Sequence, residues 1–208
     1  MNCRGILTRV RIVNEYYVEP VAYLKLLNGQ SKESDAGGKI TDEYYIFKCT
    51  NKISKQTENI VCGSCAANHF FKLINKNKPP LFNPLENNRR NNGNNRNDGN
   101  NGTNDNKSIK WNDTMLQLHN AIMLIMVIWN IDQIDGILLE IKNNTEKYCY
   151  KEPFDRDIKS INTIIRNSFQ GDTLTDKINE LRNNNNLKIY NFELLNIKLH
   201  NLGIQSYF

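Results

Sequence analysis

Residues 43–75 read EYYIFKCTNKISKQTENIVCGSCAANHFFKLIN and contain the clearest structural signals of the chain. Two runs of aromatic and β-branched residues, 43–49 and 58–61, flank a polar turn and predict a β-hairpin. The second run leads into C-G-S-C at residues 62–65, and a helical pattern with Ser64 as its N-cap follows. Because the segment holds both strands and a helix, it predicts an α+β arrangement for the first part of the chain.

Four candidate metal ligands lie within this stretch at the spacing C-x12-C-x2-C-x3-H, namely Cys49, Cys62, Cys65 and His69. Three thiolates and one imidazole suit a tetrahedral zinc ion. Cys65 and His69 are four residues apart, so both side chains lie on one face of the predicted helix. The set predicts a closed structural zinc site whose binding energy contributes to folding.

The C-G-S-C sequence at the mouth of a helix that carries His69 resembles the zinc knuckle of treble-clef and related small zinc fingers. The resemblance covers residues 49–75 only, and it implies zinc as the cofactor. Those fingers normally present two ligand pairs, whereas Cys49 has no neighbouring cysteine. Cys3 is the substitute ligand if Cys49 or His69 does not bind the metal.

The same cysteines allow two other interpretations. C-G-S-C at the start of a helix also resembles the thioredoxin active site, where the helix N-terminus lowers the pKa of a thiol. Val61 stands where thioredoxin has an aromatic residue, and the surrounding βαβ pattern is missing. A zinc deaminase is excluded, because Cys49 is followed by Thr50 and Asn51 where a catalytic glutamate is needed. A redox dithiol and buried free thiols remain alternatives to zinc.

The residues before the hairpin predict further extended structure. Residues 5–13, GILTRVRIV, alternate in polarity and predict a strand with Arg9 and Arg11 on one face and Arg4 beside them. Residues 18–27 predict a strand or a short helix that ends at a turn of sequence Asn28-Gly29. Residues 30–39 are polar and predict a loop.

The second half of the chain has the apolar periodicity of helices. Four helices are predicted, over residues 111–139, 153–169, 174–182 and 192–202. Residues 87–107 are almost free of apolar side chains and predict disorder. The predicted fold is therefore α+β, a small N-terminal antiparallel sheet with a zinc knuckle and helix followed by an all-helical half. The predicted domains are residues 1–85 and 108–208, with a disordered Asn-rich linker at 86–107.

Composition excludes several classes of protein. Five cysteines are an odd number, and the N-terminal residues carry charge where a signal peptide needs an apolar core, so we expect a reducing, cytoplasmic location. The most apolar run, residues 121–129, is too short for the roughly 20 residues that cross a bilayer. P-loop, dinucleotide-binding and esterase motifs are missing from the sequence, so no small-molecule substrate is inferred.

Polar residues of the second half supply few catalytic candidates. His119 and His200 are interpreted as hydrogen-bonded boundary residues, and no catalytic residue is assigned. Glu152, Asp155 and Asp157 surround a predicted helix start, where acidic residues suit the helix dipole. They are also the carboxylate-rich spot that could hold a divalent cation for a nuclease.

The expected function is a non-enzymatic zinc-finger module that binds nucleic acid or a nucleic-acid-associated complex. A net charge of +5 permits such binding. The residues expected to contact phosphates are Arg4, Arg9, Arg11, Lys48, Lys52 and Lys55. One alternative is a subunit of a larger protein assembly that docks through the helical half. Another is a metal-dependent nuclease or hydrolase.

Overall fold

The computed structural model describes residues 1–86 and 110–208. Its first part contains two helices, a three-stranded antiparallel sheet of order β1–β4–β5 and a short two-stranded ribbon of β2 and β3. In chain order these elements are α1 (Ile6–Glu15), β1 (Tyr16–Lys25), β2 (Lys32–Glu33), β3 (Lys39–Ile40), β4 (Glu43–Asn51), β5 (Thr57–Cys62) and α2 (Ser64–Ile74). The predicted hairpin and the helix after it are confirmed.

Residues 110–208 form five helices. They are α3 (Asp113–Ile128), α4 (Gly136–Lys147), α5 (Asp155–Ser168), α6 (Leu174–Arg182) and α7 (Glu193–Asn201). The last three fall within the predicted ranges. The fold is thus α+β, with a small N-terminal antiparallel sheet and helix followed by a helical half, as predicted.

The three-stranded sheet lies between two apolar clusters, because successive residues of a strand point to opposite faces. On β4, Tyr45 and Phe47 belong to the smaller cluster, which α1 and α2 cover. The alternate residues of the same strand, Tyr44 and Ile46, belong to the larger cluster with residues of α3 to α7. Both faces of the sheet are therefore buried, and the larger cluster takes side chains from both halves of the chain.

Helix α3 forms the centre of the larger cluster. Every side chain from residue 121 to residue 127 is at most 4% exposed. The apolar run that dominates the hydropathy of the second half is therefore explained by burial inside the chain itself. Among the described residues, no helix combines the length and the apolar character that crossing a membrane requires.

The strand predicted for residues 5–13 is wrong, because the structure has helix α1 there. The helix buries Arg9 and Ile12, three residues apart, and leaves Ile6 and Leu7 exposed. It packs against α2 and β1. These tertiary contacts outweigh the weak strand preference of β-branched residues. In consequence Arg9 faces inward while Arg11 is exposed, so the two arginines do not share a face.

The helix predicted for residues 111–139 is also wrong in extent, because the structure divides it into α3 and α4. Asn130 has a φ of 48° in the left-handed region, which ends the helix. The buried side chain of Lys32, from β2, donates hydrogen bonds of 2.8 and 2.9 Å to the carbonyls of Asn130 and Ile131. These bonds satisfy backbone acceptors at the end of α3.

Two smaller differences concern the first part of the chain. The ambiguous segment at residues 18–27 belongs mostly to strand β1, and the predicted loop at residues 30–39 contains β2 and the start of β3. The residues 87–107 of the predicted disordered linker lie outside the described residues. The domain boundaries at 85 and 108 stay predictions.

Candidate anion-binding site

The ladder between β4 and β5 separates two of the four predicted zinc ligands. Cys49 lies opposite Glu58, whereas Cys62, four residues further along β5, lies opposite Tyr45. At roughly 3.3 Å per residue, Cys49 and Cys62 are about 13 Å apart along the sheet. Both sulfurs of one zinc site lie about 2.3 Å from the metal. The structure therefore does not bring these two cysteines to a common metal position.

Cys62 instead interacts with Cys3, and both thiols are fully buried. The hydrogen bond between them lowers the pKa of Cys3, and the same bond, together with burial, raises the pKa of Cys62. Burial raises the pKa of Cys49 to about 12. Cys65, in the first turn of α2, is exposed. In the two described ranges, no three His, Cys, Asp or Glu side chains are grouped to hold a metal ion, and zinc binding stays a prediction.

The fourth predicted ligand, His69, accepts a hydrogen bond from Arg9. Nε of Arg9 lies 3.0 Å from Nδ1 of His69, and Nη1 of Arg9 donates to the carbonyl oxygen of Cys3 at 3.1 Å. Partial desolvation, with smaller contributions from the charges of Arg9 and Lys72, lowers the pKa of His69. These contacts hold the Arg9 side chain in the smaller cluster, where the residue is only 9% exposed.

The Arg9 guanidinium has no carboxylate partner among residues 1–86 and 110–208. A charge that is removed from water and not paired is costly, so an anion at this position lowers the free energy. The two groups that do bind Arg9, an imidazole and a backbone carbonyl, are uncharged acceptors at neutral pH. Neither contact provides the guanidinium with a negatively charged partner.

A cavity of about 410 Å³ lies beside this guanidinium and is called the Arg9 cavity below. Its lining includes Arg9, Ser34, Lys39 and residues 63–66, and it contains two cations and no carboxylate. Gly37 lines the cavity. The Cδ of Arg4 lies 3.5 Å from the position that a Cβ on Gly37 would occupy. Arg4 therefore adds a third cation at the rim of the cavity.

The start of helix α2 forms one wall of the Arg9 cavity. The predicted N-cap, Ser64, is wrong by one residue, because Gly63 is the N-cap and provides no side-chain hydrogen bond. The amides of Ser64, Cys65 and Ala66 donate to no acceptor in the described part of the chain. Free amides and the helix dipole favour an anion at this position. The site can therefore bind an oxyanion such as a phosphate group.

The other predicted phosphate-contacting residues lie along and beyond α1. Arg11 is exposed on the outer side of α1. Lys48, in β4, lies opposite Glu19 in the ladder with β1. Lys52 and Lys55 lie at the β4–β5 turn, near the C-terminal end of α1. Of the six residues, the structure brings Arg4 and Arg9 together at one cavity and Lys52 and Lys55 together at the turn.

An exposed tyrosine accompanies the lysines at the β4–β5 turn. The Nζ atoms of Lys52 and Lys55 lie 5.5 and 5.9 Å from the ring centroid of Tyr17, which is 57% exposed. Lys52 also donates to the carbonyls of Val13 and Asn14 at the end of α1, both at 2.9 Å. The turn is therefore fixed to α1, and its two cations lie over the ring of Tyr17 in β1.

The acidic residues of the second half are partly neutralised by neighbouring cations. Glu152 pairs with Lys198 at 3.0 Å, and the buried carboxylate of Asp157 lies 3.4 Å from Nε of Arg156. Asp155 is exposed. The arrangement suits the start of α5, and the nuclease hypothesis stays a prediction.

Sequence reasoning identified Arg4 and Arg9 but missed Lys39, Ser34 and the free amides of α2. Lys39 reaches the site because the β2–β3 ribbon turns at residues 34–38, where the amide of Gly37 donates to the carbonyl of Ser34 at 2.8 Å. The Gly37-Gly38 pair, at φ of 92° and 83°, was the available signal for this turn. Nothing in the sequence indicated that the turn would meet α2.

In a comparison with protein families, the model described as "Uncharacterised conserved protein UCP028583" matches residues 1–206, which is nearly the whole chain. No curated protein and no solved structure matches the chain.

Proposed function

The chain belongs to the family of uncharacterised conserved protein UCP028583, and we propose that it is a binding module for single-stranded nucleic acid. One phosphate of the strand occupies the Arg9 cavity. The strand then follows the outer side of α1 to the β4–β5 turn, where an unpaired base stacks on Tyr17. Cations at both ends of α1 provide the electrostatic attraction.

The observation that carries this proposal is a cavity whose lining contains cations and free amides but no carboxylate. A buried guanidinium without a carboxylate partner and the cation of Lys39 meet three free backbone amides of α2. Phosphate oxygens accept charge-assisted hydrogen bonds from guanidinium groups and from amides at helix N-termini. The same charges disfavour an amine or a metal cation. A phosphate group is thus the ligand chemistry that fits the cavity.

The path to Tyr17 supports a strand over an isolated phosphate. Helix α1 has ten residues and is about 15 Å long, with Arg4 before its start and Lys52 at its end. Base stacking on exposed aromatic rings beside lysines or arginines is typical of proteins that bind single strands without sequence preference. The exposed Arg11 lies between the two ends and extends the basic surface.

Zinc is not part of this proposal. The zinc-finger form of the function uses Cys49, Cys62, Cys65 and His69, with Cys3 as a substitute ligand. Within the described residues, no three of these side chains are grouped to hold a metal ion. The cavity obtains its positive character from side chains and amides alone. Docking of a partner protein through residues 121–129 lacks support for a similar reason, because that run packs in the chain's own core.

The affinity for a fluorescent single-stranded oligonucleotide, measured at several salt concentrations, tests the proposal. The double variant Arg4→Ala/Lys39→Ala removes two exposed cations at the Arg9 cavity. We expect weaker binding and a loss of up to about 0.7 in the slope of log affinity against log salt, since one neutralised phosphate of a single strand contributes about 0.7.

The matched control is Lys147→Ala/Lys151→Ala, which removes two exposed cations from α4 and the residues after it. This variant has the same net charge as the first. Equal losses in the two variants would show that only net charge matters and would contradict a site at the Arg9 cavity. Binding that does not depend on salt would contradict the proposal as a whole.

A further inference from the structure

A second cavity, of about 240 Å³, lies between the sheet and α3. We call it the His119 cavity. One wall is formed by β1 and by residues 79–82, which cross over it, and the other by α3, Trp111 and Glu146. Most of this lining is apolar or aromatic, and its polar residues include His119, Asn120 and Glu146. A mostly apolar cavity with a few polar groups that converge on it is typical of small-molecule sites.

The hydrogen bonds of His119 define which ring nitrogen faces a ligand. The hydroxyl of Thr145 donates its single proton to the carbonyl of Lys142 at 2.7 Å. Nδ1 of His119, 3.2 Å from the same hydroxyl oxygen, must therefore be the donor to it. Nε2 is then an acceptor, and it has no partner in the described ranges. Burial, together with the charge of Lys142, lowers the pKa of His119 to about 4, so the ring is neutral at physiological pH.

Glu146 provides a second acceptor in the same wall. Its Oε1 accepts a hydrogen bond of 2.7 Å from Nζ of Lys142, a lysine that is only 1% exposed. Because this ion pair is neutral overall, the cavity does not select for a charged ligand, and Oε2 remains available to accept a hydrogen bond from a donor. Asn120 adds a side-chain amide that makes no hydrogen bond to any described residue.

Flat aromatic rings limit the shape of the ligand. The ring of Trp111 lies 4.9 Å from that of His119, at an angle of 52°. Tyr23 and Phe82 line the opposite side, and Phe82 is held there because its amide donates to the carbonyl of Tyr23 at 2.9 Å. Planar ligands pack well against such walls.

We propose that the His119 cavity binds an uncharged, planar nitrogen heterocycle of the nucleobase type, whose N–H donors bond to Nε2 of His119 and to Oε2 of Glu146. The ligand is either a free base or one base of a strand, since both present the same ring chemistry. This site is separate from the Arg9 cavity and does not depend on it. Its binding should change little with salt, because it involves no phosphate contact.

Tryptophan fluorescence provides a direct test, since the chain has two tryptophans, Trp111 and Trp129. Trp129→Phe leaves Trp111 as the only fluorescent indole, and adenine is the probe. We expect adenine to change the emission of Trp111 in a saturable way that persists at high salt. A second titration with a short oligo(dA) strand distinguishes the source, because tighter binding of the strand indicates a base within a nucleic acid.

Two further variants, built on Trp129→Phe, locate the site. His119→Leu removes the acceptor and should weaken adenine binding at least about tenfold. His200→Leu replaces an exposed histidine of α7 and should leave it unchanged. If His119→Leu does not fold, the amide spectrum of the ¹⁵N-labelled wild-type chain replaces it, and adenine should then shift the Trp111 and Asn120 signals. No saturable emission change, equal effects of the two variants, or shifts confined to other residues would overturn the proposal.

Discussion

Nε of Arg9 donates a hydrogen bond of 3.0 Å to Nδ1 of His69, which connects α1 to α2 across the smaller apolar cluster. The same guanidinium donates through Nη1 to the carbonyl of Cys3 at 3.1 Å. One side chain thus fixes three segments of the chain, and it also lines the cavity that we assign to a phosphate. Arg9 therefore has a structural role in addition to the ligand-binding role that we propose for it.

Arg9→Ala should destabilise the fold. The substitution removes two hydrogen bonds and leaves two poorly solvated acceptors without a donor, so we expect the free energy of unfolding to fall by about 2–4 kcal/mol. Urea denaturation measures this change. Arg11→Ala, on the exposed side of the same helix, is the control and should change stability by less than about 0.5 kcal/mol. Similar values for the two variants would contradict the buried placement of Arg9.

Acid should weaken the fold through His119. In the unfolded chain this histidine binds a proton below a pKa of about 6.5, whereas in the folded chain its pKa is about 4. The unfolded state therefore binds more protons in this window, so stability falls as pH falls. Between pH 7 and 4.5 the loss due to His119 is about 2 kcal/mol. Urea unfolding of wild type and His119→Leu at both pH values measures it, and equal losses would contradict the assignment.

Tyr17→Ala should reduce affinity for a single strand without changing stability. Stacking of one base on an aromatic ring contributes about 1–3 kcal/mol, which corresponds to a loss of roughly fivefold to a hundredfold. The ring is 57% exposed, so its removal leaves no cavity in the core. Tyr150→Ala is a close control, because Tyr150 is 55% exposed and lies 5.8 Å from the Nζ of Lys151. Fluorescence anisotropy should show a loss for Tyr17→Ala alone.

Metal content tests the zinc ligands predicted from the spacing of cysteines. The strand register places Cys49 about 13 Å from Cys62, and no three candidate ligands are grouped within the described residues. We therefore expect elemental mass spectrometry to find well below one zinc per chain. Cys49→Ser should leave that content unchanged. One zinc per chain that is lost in both Cys62→Ser and His69→Ala would show that these residues meet around a metal, and it would contradict the arrangement described above.

Local sequence signals predicted much of the fold. The alternation at residues 43–49 and the apolar spacing of α5, with Ile158, Ile161 and Ile165, depend only on residues close in sequence. The hairpin, α2 and the last three helices are of this kind. The general α+β organisation follows from their order along the chain.

The errors have long-range causes. Helix α1 depends on the contact of Arg9 with a histidine 60 residues away, and the end of α3 is bonded to Lys32, about 100 residues earlier. The Arg9 cavity forms where the β2–β3 turn meets the start of α2, which no local pattern indicates. The zinc hypothesis stays a prediction, but its use of Cys49 together with Cys62 also depends on long-range placement. The two cysteines lie on paired antiparallel strands, whose register sets the distance between them.

The most direct test of the central claim concerns the amides of Ser64, Cys65 and Ala66. In ¹⁵N amide spectra, a short single-stranded oligonucleotide should shift these three signals strongly, because a bound phosphate accepts hydrogen bonds from them. Inorganic phosphate should shift them in the same direction, and Arg4→Ala/Lys39→Ala should weaken both effects. Oligonucleotide binding that leaves these amides unchanged would contradict the assignment of the Arg9 cavity as the phosphate site.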